Sequence, residues 1–428
     1  MSRGAALVIA LVVSSAAAVA AAVWLSGGGE RDAWSAPVRA PMPAARAATA
    51  VATVDPAGRV HVAWAERRGG RSTLLAVSRP PGGTWSTPRA IESDAPFRLS
   101  PAAIAGNAAG GVAVLWTAHG DRRSVLMGSV GGPGGDWTPP RALSTVGSTM
   151  RQPQAGIDDR SRVTVVGRGL AGPGLWALRY EPGRGWRPPA RVGPDGATVD
   201  APELAVTRDG RAAIVGLAKR QGRPRTLVWA ASGPSGAWSP PREVPGAVGP
   251  RYPAVAIPDG GAPVAAWLEE RAGLQGVRVA ALGGAAGEPL DAEPSGSRPV
   301  LSPLLVPDGG AEMSLERVAA ASFPPVPAPP GTTVLYGPPP FTIVAGGPAP
   351  ALLWVQRAGT SSRPASQAWI AARGADGGWD ATPLPTPDGR VAGLPLAVGG
   401  PPGRTAAVWS EGPPGGASDA IVVAERRG

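Results

Sequence analysis

The chain has 428 residues, with 62 glycines, 52 prolines, no cysteine and a formal net charge of +10 at pH 7. The lack of cysteine excludes disulfides and thiolate metal sites, and two distant histidines, His61 and His119, argue against a zinc centre or a Ser-His-Asp triad. The positive charge comes from scattered arginines, with Lys219 the single lysine. No basic stripe is interleaved with aromatic residues, so we predict no nucleic-acid partner.

The first element is an N-terminal leader. Arg3 precedes an uncharged apolar stretch at 5–25, and the first acidic residue is Glu30. This pattern fits a cleaved signal peptide, and the stretch is also long enough to anchor the chain in a bilayer. Both interpretations of 1–29 stay open, and in either case residues 30–428 are expected to work outside the cytoplasm. Membrane contact is expected only through this segment, if it is not cleaved.

An internal repeat organises the rest of the chain. The phrase DAWSAPVRAP at 32–41 returns in related form at 83–91, 135–143, 183–192 and 236–244. A second phrase, resembling a β-hairpin, starts near 46, 97, 150, 200, 250, 297, 341 and 391. Successive starts lie roughly 43–53 residues apart, which is in the range of β-propeller blades. Glycine and proline punctuate the apolar runs regularly, as in turn-rich all-β proteins.

Each unit is predicted to contain four strands. The first is small and apolar, as at 50–54, and a turn rich in Asp and Gly follows it, as at 55–58. The second strand ends in an aromatic residue such as Trp64. The fourth carries the Trp phrase and a pair of prolines, which cannot donate ladder hydrogen bonds, so it should be the outer edge of a blade.

The chain begins with half a repeat and ends with the other half. Residues 391–428 supply three strands and stop, whereas 34–40 are a fourth strand with no blade before it. We therefore predict a single β-propeller over 30–428, in which strand 34–40 completes the C-terminal blade and closes the ring. Eight blades are favoured. Seven remain the alternative, if the degenerate unit at 298–340 is an insertion.

One junction resembles a known family. Residues 78–85 read SRPPGGTW, and Ser78, Gly82, Thr84 and Trp85 match the Asp box, Ser-x-Asp-x-Gly-x-Thr-Trp, of sialidase-like (BNR repeat) propellers. Pro80 stands at the Asp position. The resemblance implies a secreted bacterial propeller with degenerate boxes on its outer hairpins, where Trp85, Trp137, Trp186 and Trp238 would be buried. Asp boxes lie away from the active site of that family, so they speak for fold and not for catalysis.

Candidate ligand-binding residues lie where the first strands of several units begin. In a propeller this strand lines the central channel, and its start lies at one rim. Sialidases hold a substrate carboxylate with three arginines, a role that suits the planar guanidinium group. The predicted rim residues are Arg98, Arg151, Arg251 and Arg298, together with Asp200, Glu203 and Tyr252. The alternative is that these arginines only solvate the rim.

The remaining sialidase machinery cannot be placed. Only three tyrosines exist, Tyr180, Tyr252 and Tyr336, and no Glu is positioned by sequence to activate one. We therefore predict no catalytic residue, no metal and no cofactor. The favoured function is a monomeric, non-catalytic, extracytoplasmic module that binds a glycan, wall polymer or envelope protein. The alternatives are an exo-glycosidase of sialidase type and a structural module of a surface assembly, with the proline-rich 322–340 segment as its contact.

Overall fold

The computed structural model is an all-β protein, as the sequence predicts. It describes residues 34–120, 124–131, 136–144, 151–169, 174–258, 260–271, 274–283, 344–346, 351–360, 363–373, 379–386, 390–401, 403–413 and 418–427. The leader at 5–25 and the degenerate unit at 298–340 therefore lie outside the described residues. Within these ranges no helix has the length and apolar character needed to cross a membrane.

The chain enters through a short strand, β1 (Val38–Arg39), and a 3₁₀ helix (Ala44–Thr49). Two four-stranded antiparallel sheets follow. Sheet I contains β2 (Val51–Val54), β3 (Val60–Arg68), β4 (Arg71–Arg79) and β5 (Arg89–Ala95). Sheet II contains β6 (Arg98–Gly106), β7 (Val112–His119), β8 (Ser124–Gly131) and β9 (Arg141–Ala142).

Sheets III and IV follow the same plan. Sheet III contains β10 (Arg151–Ile157), β11 (Val163–Arg168) and β12 (Leu175–Glu181), and its outer position is shared by β13 (Gly185–Trp186) and β14 (Ala190–Arg191), which both pair with β12. Sheet IV contains β15 (Thr198–Val206), β16 (Ala212–Lys219), β17 (Thr226–Ser232) and β18 (Arg242–Glu243). The outer strands are short, which limits pairing with other chains.

The last three sheets complete the described part of the propeller. Sheet V has three strands, β19 (Arg251–Ala256), β20 (Val264–Arg271) and β21 (Leu274–Ala281). Sheet VI contains β22 (Val344–Gly346), β23 (Ala351–Thr360), β24 (Arg363–Arg373) and β25 (Trp379–Pro383). Sheet VII contains β26 (Val391–Gly399), β27 (Arg404–Gly412) and β28 (Ala420–Arg427), with β1 as its fourth strand.

The expected blade count requires correction. The described residues form six sheets with four strand positions and one sheet, V, with three strands. Neither eight nor seven complete four-stranded blades are therefore present in this part of the chain. The expected count of eight included the degenerate unit at 298–340, which lies outside the described residues.

The N-terminal strand lies against the last sheet. β1 pairs antiparallel with β28, with Val38 opposite Val423 and Arg39 opposite Val422. Two further backbone bonds extend the contact, from Ser35 N to Glu425 O at 2.8 Å and from Ala40 N to Ile421 O at 2.9 Å. The fourth strand of sheet VII thus comes from the other end of the chain.

Six apolar clusters fill the spaces between neighbouring sheets. The tryptophans predicted to end second strands instead lie within β3, β7 and β27, which continue for several residues beyond them. Trp64, Trp116 and Trp409 are fully buried in these clusters. Each donates its indole N–H to a glutamate, at 3.1 Å to Glu66, 2.8 Å to Glu92 and 3.1 Å to Glu411 respectively. These bonds satisfy the indole groups in the interior.

The tryptophans of the outer phrase differ from expectation. Trp85, Trp137, Trp186 and Trp238 are only half-buried, although each packs against the edge of a cluster between sheets. They follow the third strand of their sheets, toward the outer strands. They therefore seal the outer ends of the clusters.

The hairpin turns between first and second strands form a belt at one end of the channel. The Asp55 and Asp158 carboxylates each accept hydrogen bonds from backbone N–H groups of their own turn. Each also forms an ion pair with the arginine four residues later, Arg59 or Arg162. Other donors in the belt reach the following sheet. These bonds run from Arg59 Nη2 to Ala108 O (2.5 Å), Asn107 Nδ2 to Asp158 O (2.8 Å), Arg162 Nη2 to Asp209 O (3.0 Å) and Arg211 Nη1 to Gly261 O (3.0 Å). The belt links sheets I to V in sequence.

Candidate binding site at the channel mouth

A central cavity of about 440 Å³ runs between the innermost strands. It is lined by β2, β6, β10, β15, β19 and β26, largely through alanine, glycine and valine residues. Small side chains leave the space open where six strands converge. The volume lies within the roughly 300–1,000 Å³ typical of small-molecule sites.

The strands change register where they approach one end of this cavity, which we call the channel mouth. The mouth is the end at which β6, β10, β15 and β19 begin, opposite the turn belt. Bulges interrupt pairing between Arg151 and Gln154, between Asp200 and Glu203, and between Arg251 and Ala254. Bulges of this kind redirect side chains and are common beside binding sites.

Each of these three bulges holds a strained residue. Gln152, Ala201 and Tyr252 have φ values of 52°, 46° and 48°. Each also precedes a proline, a position that normally favours extended backbone. Left-handed backbone at non-glycine residues costs on the order of 1–3 kcal/mol and concentrates at functional sites. The same strain in three consecutive sheets marks the mouth as a specialised part of the molecule.

The structure brings most of the predicted rim residues to this end. Arg151, Asp200 and Arg251 occupy equivalent positions, each directly before its bulge. Arg98 begins β6 but lies farther out along its strand, because the bulge of β6 falls between Pro101 and Ala103. Arg98 and Arg251 are exposed. Arg298 lies outside the described residues, and of Arg151 only the backbone position is described.

Asp200 is held by a residue that the sequence analysis missed. Arg168, at the end of β11, forms an ion pair with the Asp200 carboxylate, joining sheets III and IV. Beside it, Ala201 N donates a hydrogen bond to Gln152 Oε1 at 3.1 Å. Arg168 pairs in register with Arg151, so aligning the two strands of the predicted hairpin could have identified it. The mouth therefore includes an arginine from a second strand, Arg168, in addition to the arginines that begin the first strands.

A histidine lies beside Arg98. His119 is half-buried, its Nδ1 lies 3.1 Å from Ser124 Oγ, and it is the cross-strand partner of Arg98. Burial, assisted by the Arg98 charge, lowers the pKa of His119 below its usual value of 6.5. Its imidazole is thus neutral at physiological pH, and the local positive charge comes from the arginine.

Glu203 lines the cavity just inside the mouth. Its side chain is half-buried, and none of the described residues makes a hydrogen bond or ion pair with it. Desolvation alone raises the pKa of Glu203 from 4.5 to about 8. At neutral pH this residue is therefore chiefly an uncharged carboxylic acid.

Apolar side chains surround the mouth. Four large apolar side chains are exposed among the described residues, and three of them lie at this end. Phe97 precedes β6 and is 44% exposed, Val248 precedes β19 and is 54% exposed, and Leu394, 40% exposed, lies in an irregular part of β26. Arginine combined with apolar surface is typical of recognition sites.

A Ser-His-Asp arrangement, which the sequence analysis argued against, is present at the other end of sheet I. His61 Nδ1 lies 2.7 Å from Ser78 Oγ, and His61 Nε2 lies 3.3 Å from Asp55 Oδ2. The Asp55 carboxylate is fully buried and already accepts bonds from Ala57 N, Arg59 N and Arg59 Nε. We interpret the group as a structural link between a turn and two strands. Among the described residues, no cluster of His, Asp or Glu is arranged to hold a metal ion.

Comparisons with known proteins show similarity to other solved propellers at low identity. No family model matches the sequence, and no curated protein matches it. A protein of unknown function from Dyadobacter fermentans aligns with 11% identity and a TM-score of 0.47, covering 94% of this chain and 100% of the other. An intramolecular trans-sialidase from Ruminococcus gnavus aligns with 11% identity and a TM-score of 0.41, covering 94% and 98%.

A polysaccharide lyase described as an ulvan lyase of family PL25 is also similar. It aligns with 11% identity and a TM-score of 0.44, covering 91% of this chain and 94% of the other. With identities and TM-scores this low, none of these likenesses carries a conclusion about activity or substrate. The functional argument therefore depends on the residues at the mouth.

Proposed function

We propose that this protein is a non-catalytic, extracytoplasmic β-propeller that binds an acidic glycan at its channel mouth. The observation that carries the proposal is the mouth itself. Exposed Arg98 and Arg251 and the Arg168–Asp200 pair lie on strand ends at the mouth, and the cavity large enough for a sugar is lined by the same strands farther in. Guanidinium groups suit carboxylates, and the apolar residues nearby suit the C–H faces of sugar rings.

The mouth offers binding groups rather than a complete catalytic set. Glycoside hydrolysis normally needs two carboxyl groups that flank the scissile bond in different protonation states. The neutral acid Glu203 and the Asp200 carboxylate do differ in protonation state, as such a pair requires, but the Asp200 carboxylate is engaged by Arg168 and is not available as a nucleophile or base. Asp200 therefore serves to orient Arg168, which favours binding over bond cleavage.

A sialidase-type hydrolase is the second candidate. It is favoured by one observation, that Arg98, Arg151 and Arg251 all begin innermost strands at the same end of the channel. It requires Tyr252 to act as the nucleophile. This candidate is tested by incubating the protein with a fluorogenic sialoside and with acidic oligosaccharides labelled at the reducing end. Hydrolysis by wild type that Tyr252→Phe abolishes would show catalysis and refute the non-catalytic proposal.

A glycan array tests the proposed function. The purified protein is compared with an Arg98→Ala/Arg251→Ala variant and with a control, Arg89→Ala/Arg141→Ala. The control removes the same charge from exposed positions on the outer strands β5 and β9. We expect binding to uronate-, sialate- or sulfate-bearing glycans that only the mouth variant loses. Absence of binding to acidic glycans, or equal binding by both variants, would overturn the proposal.

The cellular location is part of the same proposal. It is supported by the uncharged apolar leader at 5–25. Cell fractionation followed by immunoblotting tests it. The protein is expected in the envelope or medium fraction, and a cytoplasmic pool of folded protein would contradict extracytoplasmic function.

A further inference from the structure

Two polar residues occupy equivalent positions inside the channel mouth. Gln154 and Glu203 are the first residues paired after the bulges of β10 and β15, opposite Val166 and Val215 respectively. Both line the central cavity. The equivalent position in β19 is Ala254, which leaves open space beside them. These two side chains introduce polarity into a wall that is otherwise mostly small and apolar.

The direction of Glu203 follows from its neighbours on β15. Ala201 and Ala205 pack against the cluster that sheet IV shares with sheet V. Ala205 and Glu203 both follow the bulge and are two residues apart on β15, so Glu203 lies on the same side as Ala205, in the cleft between β15 and β19. It therefore faces the cavity next to sheet V, which has three strands among the described residues.

None of the charged side chains that the structure describes pairs with Glu203. Those at the mouth on its own and adjacent strands are Asp200 on β15, Arg151 on β10, Arg168 on β11, Lys219 on β16, and Arg251 with Tyr252 on β19. Asp200 is paired with Arg168. At the far end of the cavity, Asp55 is paired with Arg59, and Arg208 is paired with Asp159. Desolvation is accordingly the one cause that shifts the pKa of Glu203.

A buried carboxyl kept neutral has both a donor and an acceptor. The O–H group of Glu203 can donate a hydrogen bond and its carbonyl oxygen can accept one, while the Gln154 amide offers two donors and an acceptor. Neither side chain has a hydrogen-bond partner among the described residues. Sugar hydroxyls both donate and accept, so they match these groups better than a charged ligand group does.

We propose that Glu203 and Gln154 form a hydrogen-bonding subsite for an uncharged sugar ring, one step inside the cationic mouth. The inference rests on the proposed function and deepens it. The preferred ligand is then an oligosaccharide with a carboxylate on the residue at the mouth and a neutral, hydroxylated residue in the channel. A cavity of about 440 Å³ accommodates one or two pyranose rings in this arrangement.

The test uses a defined probe, the disaccharide glucuronosyl-galactose, in calorimetric titrations from pH 6.5 to 9.5. We expect the wild-type protein to bind about tenfold more weakly at pH 9.5 than at pH 6.5, because an ionised Glu203 loses its donor and repels the glucuronate. Glu203→Gln keeps a neutral donor and acceptor, so its affinity should not change across this range. Glu203→Ala and Gln154→Ala should each bind about tenfold more weakly than wild type at pH 6.5.

The outcomes separate this inference from the proposed function. A protein that binds neither the disaccharide nor other acidic glycans at any pH refutes the proposed function itself. If wild type binds and Arg98→Ala/Arg251→Ala does not, yet Glu203→Ala binds like wild type, the subsite is refuted while the mouth remains. An identical pH profile for wild type and Glu203→Gln would refute it equally. Glu243→Gln, at an exposed residue on β18, serves as the matched control.

Discussion

Val38 lies directly opposite Val423 in an antiparallel ladder, although almost the whole chain separates them. The contact is reinforced by Ser35, whose hydroxyl accepts a hydrogen bond from Glu425 N at 3.0 Å, and by Trp34, which packs on the cluster between sheets VI and VII. The first and last parts of the chain thus form one sheet, and neither part can complete it alone.

Removal of residues 34–40 should therefore destabilise the protein and expose the edge of β28. We expect a truncated chain that begins at residue 41 to unfold at a lower temperature, and to self-associate through its unpaired edge. Differential scanning calorimetry and light scattering measure the two effects. The control begins at residue 34 and retains β1. If both chains unfold at the same temperature and remain monomeric, the pairing of β1 with β28 contributes nothing to stability.

The architecture could be predicted because it depends on local, repeated signals. Turn residues such as those at 55–58 and the unmatched half-repeat at 34–40 each follow from simple rules of strand chemistry. The expected end of the second strand at Trp64 was wrong, because β3 continues to Arg68. The blade count could not be predicted, because at 297–340 only one hairpin phrase resembled the others. Propeller units tolerate such degeneration, since each sheet contacts only its neighbours.

The site could be predicted only in part, for a different reason. Arg98, Asp200 and Arg251 were found because they precede recognisable strands. Arg168 was not, since its role depends on an ion pair between two sheets. The protonation state of Glu203 depends on desolvation by residues distant in sequence, which no local pattern expresses.

The turn belt should make folding sensitive to acid through Asp55. Burial raises the pKa of Asp55, but hydrogen bonds from His61 and Arg59 outweigh this effect and hold it below the usual 3.8. A depressed pKa in the folded state adds stability above the unfolded-state value, and that stability is lost as the pH falls through the folded-state value. Urea titrations should show wild type losing stability below about pH 4.

Replacement of the same carboxylate tests this account at neutral pH. Asp55→Asn should lower the free energy of unfolding by about 3 kcal/mol, because Arg59 loses its buried partner. Asp195→Asn is the control, because Asp195 is 94% exposed in its pair with Arg191 and should change stability by less than about 1 kcal/mol. Equal effects of the two substitutions would show that the buried Asp55–Arg59 pair stabilises the fold no more than an exposed ion pair does.

Glu203 should make the folded protein less stable as the pH rises, whereas Asp55 makes it less stable as the pH falls. Its pKa is about 8 in the folded protein, above the usual 4.5, so the contribution of Glu203 to folding stability is fully present below about pH 4.5 and is lost as the pH rises toward 8. Glu203→Gln removes the carboxyl group that would otherwise become ionised in the channel at high pH. The variant should therefore be more stable than wild type at pH 9, and about as stable at pH 5.

Thermal unfolding of both proteins at several pH values provides the measurement. A stability difference between Glu203→Gln and wild type that does not vary from pH 5 to pH 9 would contradict the desolvated position of Glu203 in the channel. This experiment needs no ligand, so it tests the electrostatics of the channel independently of binding.

Close packing of inner strands should make Gly156 intolerant of substitution. An added Cβ would lie 2.7 Å from Val206 Cβ on β15 and would overlap the rest of that side chain. Gly156→Ala should cost about 1–3 kcal/mol of unfolding free energy, measured by chemical denaturation, because β10 and β15 must move apart. Gly233→Ala, with no atom within 4 Å of its added Cβ, is the control and should be nearly neutral.

The most direct test of the central claim is a crystal structure of the protein with glucuronosyl-galactose. We predict that the glucuronate carboxylate contacts arginine side chains at the channel mouth, and that the galactose ring lies beside Glu203. A disaccharide bound at the turn belt or along the outer strands, with the channel unoccupied, would contradict the account.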